Sequence, residues 1–200
     1  MFGCYNLFDS VDTGVEGTGL NLPAGDYDVP MFFNDFVFDQ NCQTVFDLFN
    51  LDGILGDKFA VNGAIQPVMH VDKRRYRFRF YVPGPSRWYE FSLFDGTNFL
   101  PFWQISTDGN LLPNPVKVTS VRQAVAERVD VIVDFSKIKA RCRTVAETRP
   151  RATNSDKRSR SASDNRTTYF ASLPMFALLS KGEHPFAKIK EPVKTGQVRH

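Results

Sequence analysis

The clearest periodicity in the chain is RYRFRF, from Arg75 to Phe80, where polar and apolar residues alternate without interruption. Successive side chains of a strand point to opposite faces, so Tyr76, Phe78 and Phe80 share one face and Arg75, Arg77 and Arg79 the other. This predicts a strand buried on one side and wet on the other. Arg128–Phe135 (RVDVIVDF) repeats the pattern, with Val129, Val131, Val133 and Phe135 inward and Arg128, Asp130 and Asp134 outward. In Trp88–Leu93 the inward set is Tyr89, Phe91 and Leu93. An apolar run from Val29 to Phe38 follows a Pro-Ala-Gly-Asp turn, and Asn62-Gly63 between apolar runs is a hairpin signal, since both turn positions need positive φ. Trp103–Ser106 reads as a short strand, Asp108-Gly109-Asn110 as a turn and Pro113–Val121 as a further strand. Cys42–Gly56 is ambiguous between a short amphipathic helix and an insertion between strands. Short strands punctuated by Gly, Pro and Asn turns predict an all-β fold, a Greek-key sandwich or barrel.

The pattern sets the expected boundaries. Residues 1–21, rich in Gly, Asp and Thr, have no sustained period and read as a loose, irregular lead-in. The folded domain is expected over residues 22–138. Residues 139–168 are rich in Arg, Thr, Ser and Asp and poor in large apolar side chains, which predicts a disordered basic segment. Residues 169–200 comprise a short apolar element, helix or strand, and a polar tail.

Charge sharpens this division. The whole chain carries a formal +3, but residues 137–166 alone hold ten Lys/Arg against three Asp/Glu. The remainder is therefore mildly acidic. Nineteen Phe, most of them before residue 103, favour strands over helices. No apolar run is long enough for a membrane-spanning helix. The first residues show no secretory signal, and the compartment stays open.

Candidate chemistry is sparse. Cys4, Cys42 and Cys142 have neither disulfide-framework nor zinc spacing. His70, His184 and His200 lie far apart, so the two-His, one-Cys set of a blue-copper site is not visible as a motif. There is no GxSxG, HExxH or glycine-rich phosphate loop. The acidic pairs Asp26/Asp28 and Asp130/Asp134 read as turn and strand-surface charge. The basic segment Arg141–Arg166 lacks aromatics for base stacking, which argues against nucleic acid as a partner. No catalytic, cofactor-binding or metal-ligating residue is assigned.

Four ordered segments carry a resemblance: LPAGDYDVPMFFNDFVF (Leu22–Phe38), FAVNGAIQPVMHVDKRRYRFRFYVPGPSRWYEFSL (Phe59–Leu93), QISTDGNLLPNPVKVTS (Gln104–Ser120) and AERVDVIVDFSK (Ala126–Lys137). Together they resemble the middle plastocyanin-like (cupredoxin) domain of the multicopper oxidases, in the branch of spore-coat laccase and bilirubin oxidase. The resemblance implies a cupredoxin-like β-sandwich. In the family, copper is held by His-rich motifs of the first and third cupredoxin domains, and the middle domain is a copper-free spacer between them. Intact members oxidise phenolic-type donors and reduce dioxygen to water. This chain has none of the His-rich motifs, so the resemblance implies a structural domain, inactive by itself, whose partners are the missing first and third domains. Residues 1–21 do not resemble the end of a first domain, nor Arg141–Arg166 the strand expected after DFSK. The alternative is a stand-alone β-sandwich binding module with a basic tail for an anionic partner. The exposure of the Arg75, Arg77 and Arg79 face discriminates between the two.

Overall fold

A computed structural model describes residues 3–49, 53–95 and 97–138, together with the backbone of two later strands, 142–149 and 173–180. After the irregular residues 3–24 comes a 3-10 turn at Gly25–Tyr27, where Gly25 takes φ 58°. The strands follow in order: β1 (Asp28–Phe38), β2 (Thr44–Val45), β3 (Lys58–Val61), β4 (Ala64–Ile65), β5 (Val68–Val71), β6 (Arg75–Tyr81), β7 (Trp88–Phe94), β8 (Phe99–Leu100), β9 (Phe102–Thr107), β10 (Asn110–Val118), β11 (Ser120–Gln123), β12 (Arg128–Asp134), β13 (Cys142–Arg149) and β14 (Leu173–Ser180). Among the described residues, no helix is long and apolar enough to cross a membrane.

The strands form two sheets. One runs β10-β9-β12-β6-β1-β3-β4, with β2 added beside β1; the other runs β11-β7-β13-β14-β5, with β8 beside β7. At the centre of the first sheet, β6 pairs antiparallel with β12 over seven residues and parallel with β1. The inward faces expected from the alternation meet here. Phe78 lies opposite Val131 and beside Val29, and both Phe78 and Val131 are buried. Across the sandwich, β7 contributes Tyr89, Phe91 and Leu93, all buried. Phe33 of β1 touches the rings of Phe80 and Phe91, at centroid distances of 5.3 and 4.3 Å. Tilted and edge-on ring contacts of this kind contribute about 0.5–1.5 kcal/mol each beyond their burial.

The turns take the geometry that their residues dictate. Asn62 and Gly63 both have positive φ (52° and 82°), as do Asp108 and Gly109 (47° and 87°). These are the values of tight hairpin turns whose twist matches the flanking strands. The Asn62 side chain does more: it accepts from Phe32 N–H at 2.8 Å and donates to the Pro30 carbonyl at 3.0 Å, fastening the hairpin to β1.

Three expectations are settled or changed. Cys42–Gly56 is an insertion, with only the two-residue β2 in it among its described residues, and Phe46, Leu48 and Phe49 stand exposed. The segment 139–168, expected to be disordered, contains β13, which pairs antiparallel with β7 from Arg143↔Phe94 to Arg149↔Trp88. A Thr- and Arg-bearing stretch with few apolar side chains can still be held as a strand by ladder bonds to a well-packed neighbour. The apolar element expected after residue 169 contains the strand β14, parallel to β5. The rest of 139–168 and the polar tail lie outside the described residues. The third change concerns the outer face of β6.

Candidate functional site: buried ion networks

Alternation places Arg77 and Arg79 on the face of β6 turned away from the aromatic core, where water was expected. Both are buried instead, with 2% and 7% relative exposure. Only Arg75, at the start of the strand, is exposed. A buried guanidinium must be paired, because the cost of removing an isolated charge from water is prohibitive. Arg77 donates from Nε and Nη2 to Asp130 Oδ2 at 3.0 and 2.5 Å, and from Nη1 to Asp12 Oδ2 at 2.7 Å. Arg79 makes a two-pronged contact with Asp28, at 2.7 and 2.6 Å, and reaches Asp130 at 3.5 Å. Burial works against the Arg79 charge, but the Asp28 hydrogen bonds and the charges of Asp130 and Asp28 outweigh it and hold the guanidinium above its ordinary pKa.

The sequence reading therefore needs correcting at two further residues. Asp130, expected as outward strand-surface charge, is 7% exposed and bridges two arginines. Asp28, expected as turn charge, is the two-oxygen acceptor for Arg79. The register accounts for both. Asp130 lies directly opposite Arg79 on β12, and Asp28 directly beside Arg77 on β1. A periodicity argument sees one strand at a time; the pairing exists only once three strands are side by side.

The expected loose lead-in supplies the remaining anion and lies along this face. Its residues meet β6 at regular steps: Cys4 Sγ lies 2.7 Å from Tyr81 Oη, the Phe8 ring 5.9 Å from the Arg79 guanidinium, and Asp12 on Arg77. Glu16 forms an ion pair with Arg74, just before β6 begins. The segment also organises itself. Asp9 accepts from the N–H groups of Val11 and Asp12, which holds its carboxyl below the usual range, and Leu20 N–H donates to the Val11 carbonyl at 2.9 Å.

A second network sits at the foot of the Cys42–Gly56 insertion. Asp35 is an acid inside an apolar strand and needs partners there. Its Oδ2 accepts from Arg87 Nε at 2.7 Å and from Gly56 N–H at 2.5 Å, and Oδ1 accepts from Tyr89 Oη at 3.3 Å. Arg87 Nη2 also donates to the Gly56 carbonyl at 2.6 Å. A Cβ on Gly56 would lie 2.3 Å from the Phe36 nitrogen, so only glycine fits this close approach. Burial pushes the Tyr89 phenol up, and the neighbouring Asp35 charge adds to the shift. Nothing in the local sequence pattern around Arg87 marks it.

These networks neutralise charge rather than expose it. Each buried carboxylate already accepts from a cation or an N–H, and neither tyrosine is placed to give up a proton near neutrality. Metal chemistry finds no purchase among the described residues, where no group of three His, Cys, Asp or Glu side chains converges. His70 is exposed on β5, Cys4 faces Tyr81 and Asn6, and Cys42 is exposed. That donor set does not fit copper, which needs two histidines and a thiolate in one place, or a cluster of histidines. His184 and His200 lie outside the described residues, as does the side chain of Cys142.

No family model matches the chain. It is 35% identical over 129 residues to a laccase of Bacillus subtilis, an alignment covering 58% of this chain and 25% of the laccase. To the bilirubin oxidase of Albifimbria verrucaria it is 33% identical over 139 residues, covering 67% of this chain and 23% of that protein. Among solved structures, a variant of the McoA multicopper oxidase from Aquifex aeolicus superposes with a TM-score of 0.64 at 27% identity, covering 80% of this chain and 33% of that one. The fold is thus the cupredoxin-like sandwich that the motifs implied, and the chain spans about a quarter to a third of the length of these proteins.

Proposed function

We propose that this chain, a segment of the multicopper oxidase family, is the copper-free structural middle domain of such an oxidase. Its role is to hold neighbouring cupredoxin domains in place, while copper and the oxidation of phenolic-type donors by dioxygen belong to those neighbours. One observation carries the reading: the charged residues that the fold buries are consumed by one another. Arg77, Arg79, Asp130, Asp28, Arg87 and Asp35 are satisfied within the sandwich and leave no ligand-ready group. The short share of each relative that the chain covers supports a domain rather than a whole enzyme.

Adding Cu(II) to the purified chain tests the proposal. We expect no stoichiometric uptake and no blue thiolate–copper band, because a two-His, one-Cys site cannot be assembled from the described residues. Tight uptake of about one copper per chain with a blue band would defeat the proposal. The binding-module alternative rests on a basic tail, and the exposure of the Arg75, Arg77 and Arg79 face is the feature that discriminates it. Arg77 and Arg79 are already occupied by three carboxylates of the chain itself, so among the described residues of β6 only Arg75 stays exposed on that face.

A further inference from the structure

The outer strip of β6 and β12 is a surface with an identifiable occupant. Ile132 lies opposite Arg77 across the β6–β12 ladder, and both are buried although they face away from the main core. Ile105 of β9 is buried as well, and neither isoleucine belongs to the central hydrophobic cluster. Along this strip, residues 4, 8 and 12 meet Tyr81, Arg79 and Arg77 in turn, and residue 16 meets Arg74. The partner numbers fall as the strap numbers rise, so the segment runs antiparallel to β6. Among the described residues it makes no ladder with β6, and its contacts there run through side chains.

We propose that this strip is a docking surface for an acidic peptide segment folded into bends and turns, and that residues 3–21 are a separable strap filling it in cis. Asp12 is the latch. Of the three carboxylates around Arg77 and Arg79, Asp28 and Asp130 come from strands of the sheet, and Asp12 alone comes from the irregular segment. Without Asp12, Arg77 keeps the Asp130 contact and the sheet keeps its ladder, but Arg77 Nη1 loses its acceptor and the strap loses its charged anchor on β6. The four-residue spacing of Cys4, Phe8, Asp12 and Glu16 defines the ligand chemistry: a thiol or polar group, a ring, and two carboxylates. This inference stands apart from the copper-free reading and does not require it.

The test uses the full chain carrying Asp12→Asn, with hydrogen exchange followed segment by segment. Loss of a charge-assisted hydrogen bond is worth about 1.5–3 kcal/mol, so strap amides should exchange roughly ten- to a hundredfold faster. Protection across β6 and β12 should stay as in the unaltered chain. A labelled synthetic peptide of residues 1–21 should then bind the Asp12→Asn chain in trans and fail to bind the unaltered chain, whose strip is filled. The same peptide carrying D12N should bind neither. Unchanged strap exchange, equal peptide binding to both chains, or loosening spread over β6 and β12 would each overturn the proposal. If Asp12→Asn does not fold, Phe8→Ala serves instead. Phe8 is half-exposed and lies over Arg79, so its loss should raise exchange in the strap alone, and a rise throughout the sheet would count against separability.

Discussion

From Tyr76 to Phe80 the two faces of β6 are both dry, and for different reasons. On the inner face, Tyr76, Phe78 and Phe80 pack against Phe135, Phe33 and Phe91. On the outer face, Arg77 and Arg79 are closed over by Asp130, Asp28 and Asp12. Burial on the inner face releases water from apolar surface and stabilises directly. On the outer face, desolvation of each ion costs several kcal/mol, offset only by the geometry of its partners. An alternating strand therefore reports two chemically distinct faces, and it does not report which of them is wet.

The largest effects should come from breaking either face. Phe78→Ala removes a ring that is 2% exposed and should destabilise by roughly 3–5 kcal/mol. Simple alternation would make Arg77→Ala mild. The structure instead leaves Asp130 and Asp12 facing a void, and removing one partner of a buried pair costs roughly 3–5 kcal/mol. Urea unfolding of the two variants should give comparable losses. An Arg77→Ala chain nearly as stable as the unaltered one would return the outer face to solvent.

How far the sequence reaches can be read from these residues. The strand at Arg75, the Val129–Val133 face and both positive-φ turns were legible because each depends on local sterics or a two-residue period. Asp35 also carried a signal, an acid within an apolar run, which demands a partner somewhere. Which partner was not legible: Arg87 is 52 residues away and sits in a loop. The same holds for Asp12 and Arg77, 65 apart. A polar lead-in and a solvated lead-in look alike until its carboxylates are seen opposite buried cations. For β13 the deciding term is ladder pairing with β7, which composition does not encode.

A middle-sized effect should appear at alkaline pH. Burial raises the Tyr89 phenol well above its ordinary value, with Asp35 adding to the shift, and burial raises Tyr81 similarly, with Cys4 adding. A raised folded-state pKa means that the native state keeps the proton after the unfolded chain has lost it. The stabilisation is thus complete below the unfolded pKa, about 10, and falls as pH rises beyond it. Stability measured from pH 8 upward should decline above about 10. Tyr89→Phe removes one of these groups and one hydrogen bond to Asp35. It should cost about 1 kcal/mol near neutrality and flatten the alkaline decline. An equally steep decline in Tyr89→Phe would place the sensitivity elsewhere.

The smallest effect should separate arginines on the same face. Arg75 shares the outer face of β6 with Arg77 and Arg79 but is exposed, opposite Asp134. Asp134 is held below the usual carboxylate range chiefly by hydrogen bonds from Ser136, with the charges of Lys137 and Arg75 as lesser contributions. A depressed folded-state pKa gives stability present above the unfolded value and lost as pH falls through the folded one. Arg75→Ala weakens only the least of these causes, so it should change stability by about 0.5 kcal/mol or less at neutral pH. It should move the acid limb of the stability profile slightly upward in pH. The contrast with Arg77→Ala isolates burial as the variable, since residue type, strand and face are the same. A loss at Arg75 comparable to that at Arg77 would mean that a cover extends over the start of β6, beyond the Arg74–Glu16 pair.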